Sequence, residues 1–309
     1  MSVSPLSSVS TPPRGLDRDV VLVLSGGAAR GSIQAGMLRA LVEAGVRPTH
    51  VVGTSVGALN AAFLAQDWSL AGAMRLCEIW QKVDFVDVFG AQPWWAPLRY
   101  WANGSLSDGA ALKALIERLI PASYADLQVE LRIVAADLHR GAARVFSRGR
   151  LRDHVRASAS IPLVFPPVTL SMDDPGLEGR PAGMLVDGGL MGQVPLSEAA
   201  RLNPRAILIG DVGEIAIPEP MPTRGLAYAQ HLVQMLRRAP TRAQVELLAE
   251  QMPLVFLSAP GAASVALHDF SQSEARMNAA YEATRALLLA GDFESCGLTG
   301  ELIPVADVD

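Results

Sequence analysis

Chemistry in this chain starts from one serine. Gly53-Thr54-Ser55-Val56-Gly57 has the spacing GxSxG. Small residues two before and two after the serine permit a strand-to-helix turn so sharp that larger side chains would meet neighbouring backbone. The short apolar run Val51-Val52 leads into the motif, and an alanine-rich stretch from Ala58 to Ala65 leads out of it. A helix starting there aims its positive end at Ser55 and favours an alkoxide or a tetrahedral oxyanion. A tight turn whose glycines only permit packing is the plain alternative; the strand before and the helix after favour a nucleophile.

A second turn offers the complement. Ser25-Gly26-Gly27-Ala28-Ala29-Arg30-Gly31 also lies between an apolar run, Val20 to Leu24, and a helical pattern. Backbone N–H groups at such a helix start can bind an anion. Dinucleotide binding fails because GxGxxG read from Gly26 meets Ala28, and a phosphate loop of the Walker type fails for want of GK[ST]. Beside a nucleophile, Gly26, Gly27, Ala28 and Arg30 read as an oxyanion hole, with the N–H groups of Gly27 and Ala28 as donors and Arg30 adding positive potential.

The serine needs a proton acceptor, and histidine is the usual one. His50 precedes a strand, His139 and His154 sit among arginines in expected surface turns, His231 falls in an amphipathic stretch, and His268 opens a late helix. His231 and His268 follow Asp187, so a Ser-Asp-His order stays open. Carboxylates are better placed. Asp137, Asp187 and Asp211 each end a predicted strand, where sites of open α/β sheets gather. Asp187 precedes Gly188-Gly189, which allow a close backbone approach, whereas Asp137 and Asp211 serve equally as caps. Asp187 is therefore the expected base.

These residues need a sheet to hold them. Val20 to Leu24, Val51-Val52, Leu131 to Ala135, Arg144 to Phe146, Met184 to Val186, Ala206 to Ile209 and Leu254 to Leu257 read as strands. Helical patterns such as Ile33, Met37, Leu38, Leu41 and Val42 alternate with them, which predicts an α/β fold with a mostly parallel sheet covered by helices. Half the residues are apolar and 18% charged, enough for one large core. A net charge of −5 without a basic block excludes a nucleic-acid footprint, so any membrane contact is mainly apolar. Cys77 and Cys296, far apart, suggest neither metal nor disulfide. Residues 1–17 read as a flexible tail without a secretory signal, and no apolar run reaches the ~20 residues that span a bilayer. The chain therefore reads as soluble and cytoplasmic.

Taken jointly, Leu24 to Gly31, Gly53 to Ala58 and Asp187-Gly188-Gly189 resemble the three signatures of patatin-like phospholipases, in the same order. Ala157-Ser158-Ala159-Ser160-Ile161-Pro162, Phe165-Pro166-Pro167-Val168 and Ala135-Ala136-Asp137-Leu138 add to the likeness, which covers about residues 18 to 290. The resemblance implies a three-layer α/β/α domain over 18–292 with a tail from 293 to 309. It further implies a lipid acyl hydrolase with a Ser55-Asp187 dyad, an acyl-enzyme, a phospholipid or other acyl-lipid substrate, and no cofactor or metal. Two positions depart from the family pattern: Ala28 replaces a third consecutive glycine, and Gln193 replaces asparagine before Val194-Pro195. An esterase with a Ser-His-Asp triad and a weakly catalytic lipid-binding protein are the other readings.

Two segments remain. Phe85 to Ser107 gathers Phe85, Phe89, Trp94, Trp95, Tyr100 and Trp101 without periodicity and suits a lid, a bilayer-contacting surface or a satellite core. Thr223 to Gln251, with Arg237, Arg238 and Arg242, reads as a long amphipathic helix or helical pair, mainly solvated surface.

Overall fold

A computed structural model describes residues 11–91, 104–181, 183–213 and 241–299, apart from 258, 263, 264, 292 and 296, and six isolated positions between 221 and 235. The strands are β1 (Val20–Leu24), β2 (His50–Thr54), β3 (Glu130–Asp137), β4 (Ala142–Phe146), β5 (Val168–Thr169), β6 (Met184–Asp187), β7 (Ala206–Gly210), β8 (Pro253–Phe256) and β9 (Gly297–Thr299). The helices are α1 (Gly31–Glu43), α2 (Val56–Ala65), α3 (Leu70–Lys82), α4 (Phe85–Phe89), α5 (Ala110–Leu119), α6 (Leu151–Ser158) and α7 (Leu196–Ala200), then α8 over 241–249 and α9 (Ser273–Ala290).

The nine strands form one sheet in the order β5-β6-β3-β2-β1-β7-β8-β9, with β4 also on β3. Pairings from β3 through β9 along that path are parallel, while β4 and β6 lie antiparallel to β3. Alternation along β1 builds the layers. Val20, Leu22 and Leu24 pack with α1, α2 and α9 through Ile33, Met37, Leu38 and Met277. Val21 and Val23 face the opposite way, onto Leu196 and Ala199 of α7 and Val245 and Leu248 of α8. Helices thus cover both faces, as an all-apolar β1 requires. Helix α2 is apolar all round because it lies between the sheet and the helices outside it.

Both predicted tails begin inside packed structure. Leu16 and Phe293 are buried in the larger apolar layer, the Phe293 N–H donates to the Arg14 carbonyl at 3.3 Å, and β9 extends the sheet past residue 292. Two buried apolar side chains anchor these short segments, too little for a recognisable pattern. In the aromatic segment, Phe85 to Phe89 is a helix capped by Asp84, whose carboxylate accepts the N–H groups of Val86 and Asp87. Trp94, Trp95, Tyr100 and Trp101 lie outside the described residues. So do His231, Arg237, Arg238 and Cys296, and of the stretch 223–251 only the α8 end is described continuously.

Candidate active site

Ser55 joins β2 to α2 with φ 56° and ψ −125°, a conformation that costs a non-glycine residue about 1–3 kcal/mol. Three contacts hold it there. A Cβ at Gly57 would lie 2.4 Å from the Leu24 carbonyl oxygen, so only glycine lets α2 come this close to β1. The Ser55 carbonyl accepts the N–H groups of Ala58 and Leu59 at 2.9 and 3.2 Å and so starts the helix. The Ser55 N–H donates to the Ser158 hydroxyl at 2.9 Å, and that hydroxyl donates to the Val134 carbonyl at 2.6 Å. Ser158, at the end of α6, is wholly buried.

The sheet brings Asp187 to the same place from the opposite direction. Thr54 pairs with Val134 across the parallel β2–β3 ladder, and Asp187 pairs with Ala135 across the antiparallel β3–β6 ladder. A strand running downward therefore ends level with one that ends upward. A Cβ at Gly188 would lie 2.2 Å from the Val134 carbonyl oxygen and 3.2 Å from Cγ2 of Thr54, so the turn after Asp187 sits against the residue before Ser55. The Asp187 N–H donates to the Ser160 carbonyl at 2.9 Å, and Asp187 Oδ1 accepts the Gly189 N–H at 2.8 Å. The segment 158–160 thus grips the backbone of both residues. Ser55 and Asp187 are only 4% and 3% exposed, so a hydrogen bond made there competes little with water.

The glycine-rich loop lies over the serine: a Cβ at Gly26 would be 3.1 Å from Cβ of Ser55. Gly26 is itself occupied, since its N–H donates to the Gln193 carbonyl at 3.3 Å and its carbonyl accepts Nε2 of Gln193 at 2.6 Å. Its N–H is therefore engaged, and the donors expected of this loop are those of Gly27 and Ala28. The N–H groups of Gly27 and Ala28 have no acceptor among the described residues. Ala28 stands at φ 48°, a strained value for alanine. The buried Arg30 donates from Nε to the Val265 carbonyl at 2.9 Å and from Nη1 to the Val212 carbonyl at 3.3 Å. These bonds make it a clamp holding the loop to two later segments, a task added to the positive potential that the sequence suggested.

An apolar cavity opens from Ser55 and Ala28 between α2, α3 and α5, walled by residues such as Leu59, Leu76, Leu112, Leu115 and Phe165. Asn60, a polar wall residue, is satisfied: it accepts from Trp80 Nε1 at 2.8 Å and donates to Gly31 O and Gln34 Oε1, both at 3.0 Å. Phe89 stacks on Phe165 at 5.6 Å between ring centroids and meets Phe270 edge-on. One member of the aromatic segment, Phe89, therefore helps build this cavity.

The family model for patatin-like phospholipase matches residues 22–200, more than half of the chain and the part that carries Ser55, Asp187 and the glycine loop. The chain belongs to the patatin-like phospholipase family. Patatin-like phospholipase domain-containing protein 7 of Rattus norvegicus is 29% identical over 195 residues, 63% of this chain and 14% of that protein. Lysophospholipase nte1 of Aspergillus niger is 28% identical over 229 residues, 69% of this chain and again 14% of the relative. The chain thus spans about one seventh of the length of these relatives. Among solved structures, VipD from Legionella pneumophila is similar with TM-score 0.44 and 16% identity, covering 92% of this chain and 72% of VipD.

At Gln193, where the family pattern has asparagine, the longer amide reaches the Gly26 carbonyl and also fills the space beside Gly213. The other carboxylates fix loops. Asp137 Oδ1 accepts the N–H groups of His139 and Arg140, its Oδ2 meets Arg144 Nη1 at 3.5 Å, and Asp211 Oδ1 accepts the Gly213 N–H. His268 is exposed and does not line the cavity. His154 departs furthest from expectation, being completely buried rather than in a surface turn. It stacks on Phe146 at 4.0 Å, meets the Tyr124 hydroxyl at 3.1 Å through Nδ1, and lies 3.2 Å from Asp174 Oδ2 through Nε2. The carboxylate favours an imidazolium, but burial outweighs it and pushes the imidazole down to about 4, so the ring is neutral at pH 7. Burial likewise pushes the Cys77 thiol up to about 11, an unreactive state. Among the described residues no three His, Cys, Asp or Glu side chains gather as a metal site, and no helix is long and apolar enough to cross a membrane.

Proposed function

We propose that this chain is a lipid acyl hydrolase in which Ser55 and Asp187 work as a dyad on the ester of one acyl chain. The supporting observation is the meeting of three things at one point: a strained, buried serine, an aspartate turn packed against its strand, and an apolar cavity beginning at that serine. Ser55 Oγ attacks the acyl carbonyl carbon while its proton passes to the Asp187 carboxylate. The oxyanion is held by the Gly27 and Ala28 N–H groups and faces the start of α2. Collapse expels the alkoxide of the leaving group, which takes the proton from Asp187 and leaves Ser55 acylated. Water, deprotonated by Asp187, then frees the fatty acid.

The cavity walls suit an acyl chain, and a single-acyl lipid fits both this cavity and the lysophospholipase name of the Aspergillus relative. Val86, Leu106 and Leu163, all more than 40% exposed, belong to segments that border the Phe89–Phe165 stack, with the Leu106 N–H bonded to the Leu163 carbonyl. They supply an apolar surface with which to meet a lipid aggregate.

The test is the initial rate on nitrophenyl esters and lysophospholipid, with chelator present. Ser55→Ala and Asp187→Asn are expected to fall to background, whereas His231→Ala and His268→Ala keep turnover. Retention of the rate by Ser55→Ala, or its abolition in either histidine variant, refutes the dyad.

A further inference from the structure

The apolar cavity has a definable far end. Its α2 wall is Val56, Leu59, Asn60 and Phe63, positions three or four apart that share one helix face. The cavity therefore runs alongside the helix axis, away from Ser55. Phe63 lies eight residues beyond the serine, about 12 Å along the axis at 1.5 Å per residue. Phe63, Ile79 and Leu119 also line a neighbouring surface cleft, whose remaining walls include Asp67, Arg75, Glu78, Lys82 and Arg118. All three apolar residues are half-buried, as side chains between an interior space and a wet one should be. The partition is tied across its end: Nε2 of Gln66, the residue just after α2, donates to the Leu119 carbonyl at the end of α5 at 3.1 Å.

Resting on the acyl-hydrolase reading, we propose that Phe63, Ile79 and Leu119 are the specificity-determining residues for acyl length, closing the channel to chains beyond roughly ten carbons. An extended chain of bonds near 1.5 Å advances about 1.25 Å per carbon, so about 12 Å holds roughly eight to ten carbons. Each carbon added within the channel leaves water for an apolar wall and improves binding about fourfold, the equivalent of ~0.8 kcal/mol per methylene. A carbon beyond the partition has to displace Phe63 or Leu119 into a cleft lined by five charged side chains, where that gain ends.

Binding and turnover test this separately. Calorimetry on the Ser55→Ala protein with saturated fatty acids of six to sixteen carbons is expected to show affinity rising with length and levelling or falling beyond about ten. Phe63→Ala and Leu119→Ala move that break to longer chains and raise the ratio of fourteen-carbon to eight-carbon affinity at least tenfold. Phe63→Trp moves it to shorter ones and provides a variant without a cavity. Affinity that climbs without a break to sixteen carbons, or the same break in all three variants, overturns the proposal. Ester turnover by wild type, measured alongside, reports on the dyad alone, so an inactive protein with an intact break refutes the catalytic reading and leaves the length limit standing.

Discussion

Replacing Ser158 with alanine removes one hydroxyl and affects both members of the proposed dyad. In the structure that hydroxyl links the Ser55 N–H to the Val134 carbonyl in a place closed to solvent. Its loss strands a buried donor and a buried acceptor, each worth about 1–3 kcal/mol. Part of this returns as Ser55 relaxes from its positive φ, which stores about 1–3 kcal/mol. The net loss is then roughly 2–3 kcal/mol, or a fall in Tm of about 3–5 °C for a domain of this size. The same relaxation moves the nucleophile, and a displacement near 1 Å costs about a hundredfold in rate. KM should hold, because Ser158 does not line the cavity. Ser158→Cys, keeping a weak donor and acceptor, should fall between. Thermal unfolding and kcat on one ester measure both effects. A Ser158→Ala protein with wild-type Tm and kcat refutes the bridge; one that loses stability but keeps kcat shows that it holds the fold and not the nucleophile.

Two further outcomes follow from strain and burial. Ala28→Gly removes a left-handed alanine costing about 1–2 kcal/mol and gives back about 0.5–1 in chain entropy, so Tm should rise by about 1–2 °C; a lower Tm means the turn is relaxed as it stands. His154 binds a proton less readily in the folded protein than in the unfolded chain, so its contribution to stability is intact above pH about 6.5 and is lost as pH falls toward about 4. The slope in that window is at most about 1.4 kcal/mol per pH unit, and urea unfolding of His154→Gln across it should show a shallower dependence than wild type.

The strands flanking Ser55 and Asp187 were legible because an apolar run closed by Gly-x-Ser or Asp-Gly-Gly leaves few other conformations open. What stayed hidden depended on the far side of an element. Around His154 the arginines suggest solvent, yet α6 is amphipathic: Arg152 and Arg156 are half-buried at its flank while His154, Val155 and Ser158 turn fully inward. Counting the helical phase from Leu151 would have placed His154 inside. Ser158 was visible only as part of a family-like string, since nothing local says that its hydroxyl reaches Ser55. Gly26 and Arg30 were placed in the loop by the sequence, but their tie points stayed hidden, because their partners, Gln193, Val212 and Val265, come from more than 160 residues later. The strand β9 and the buried Phe293 rest on pairings too short to leave a pattern.

Strand β6 enters the sheet against the direction of its neighbour β3, long after β1 and β2 have been synthesised. A growing chain that has reached residue 170 already carries the whole glycine loop, the serine, the α6 bridge and most of the cavity wall, yet has no aspartate beside the serine. The turn that carries Asp187 thus comes level with the turn that carries Ser55 only when four residues of antiparallel strand slot onto β3.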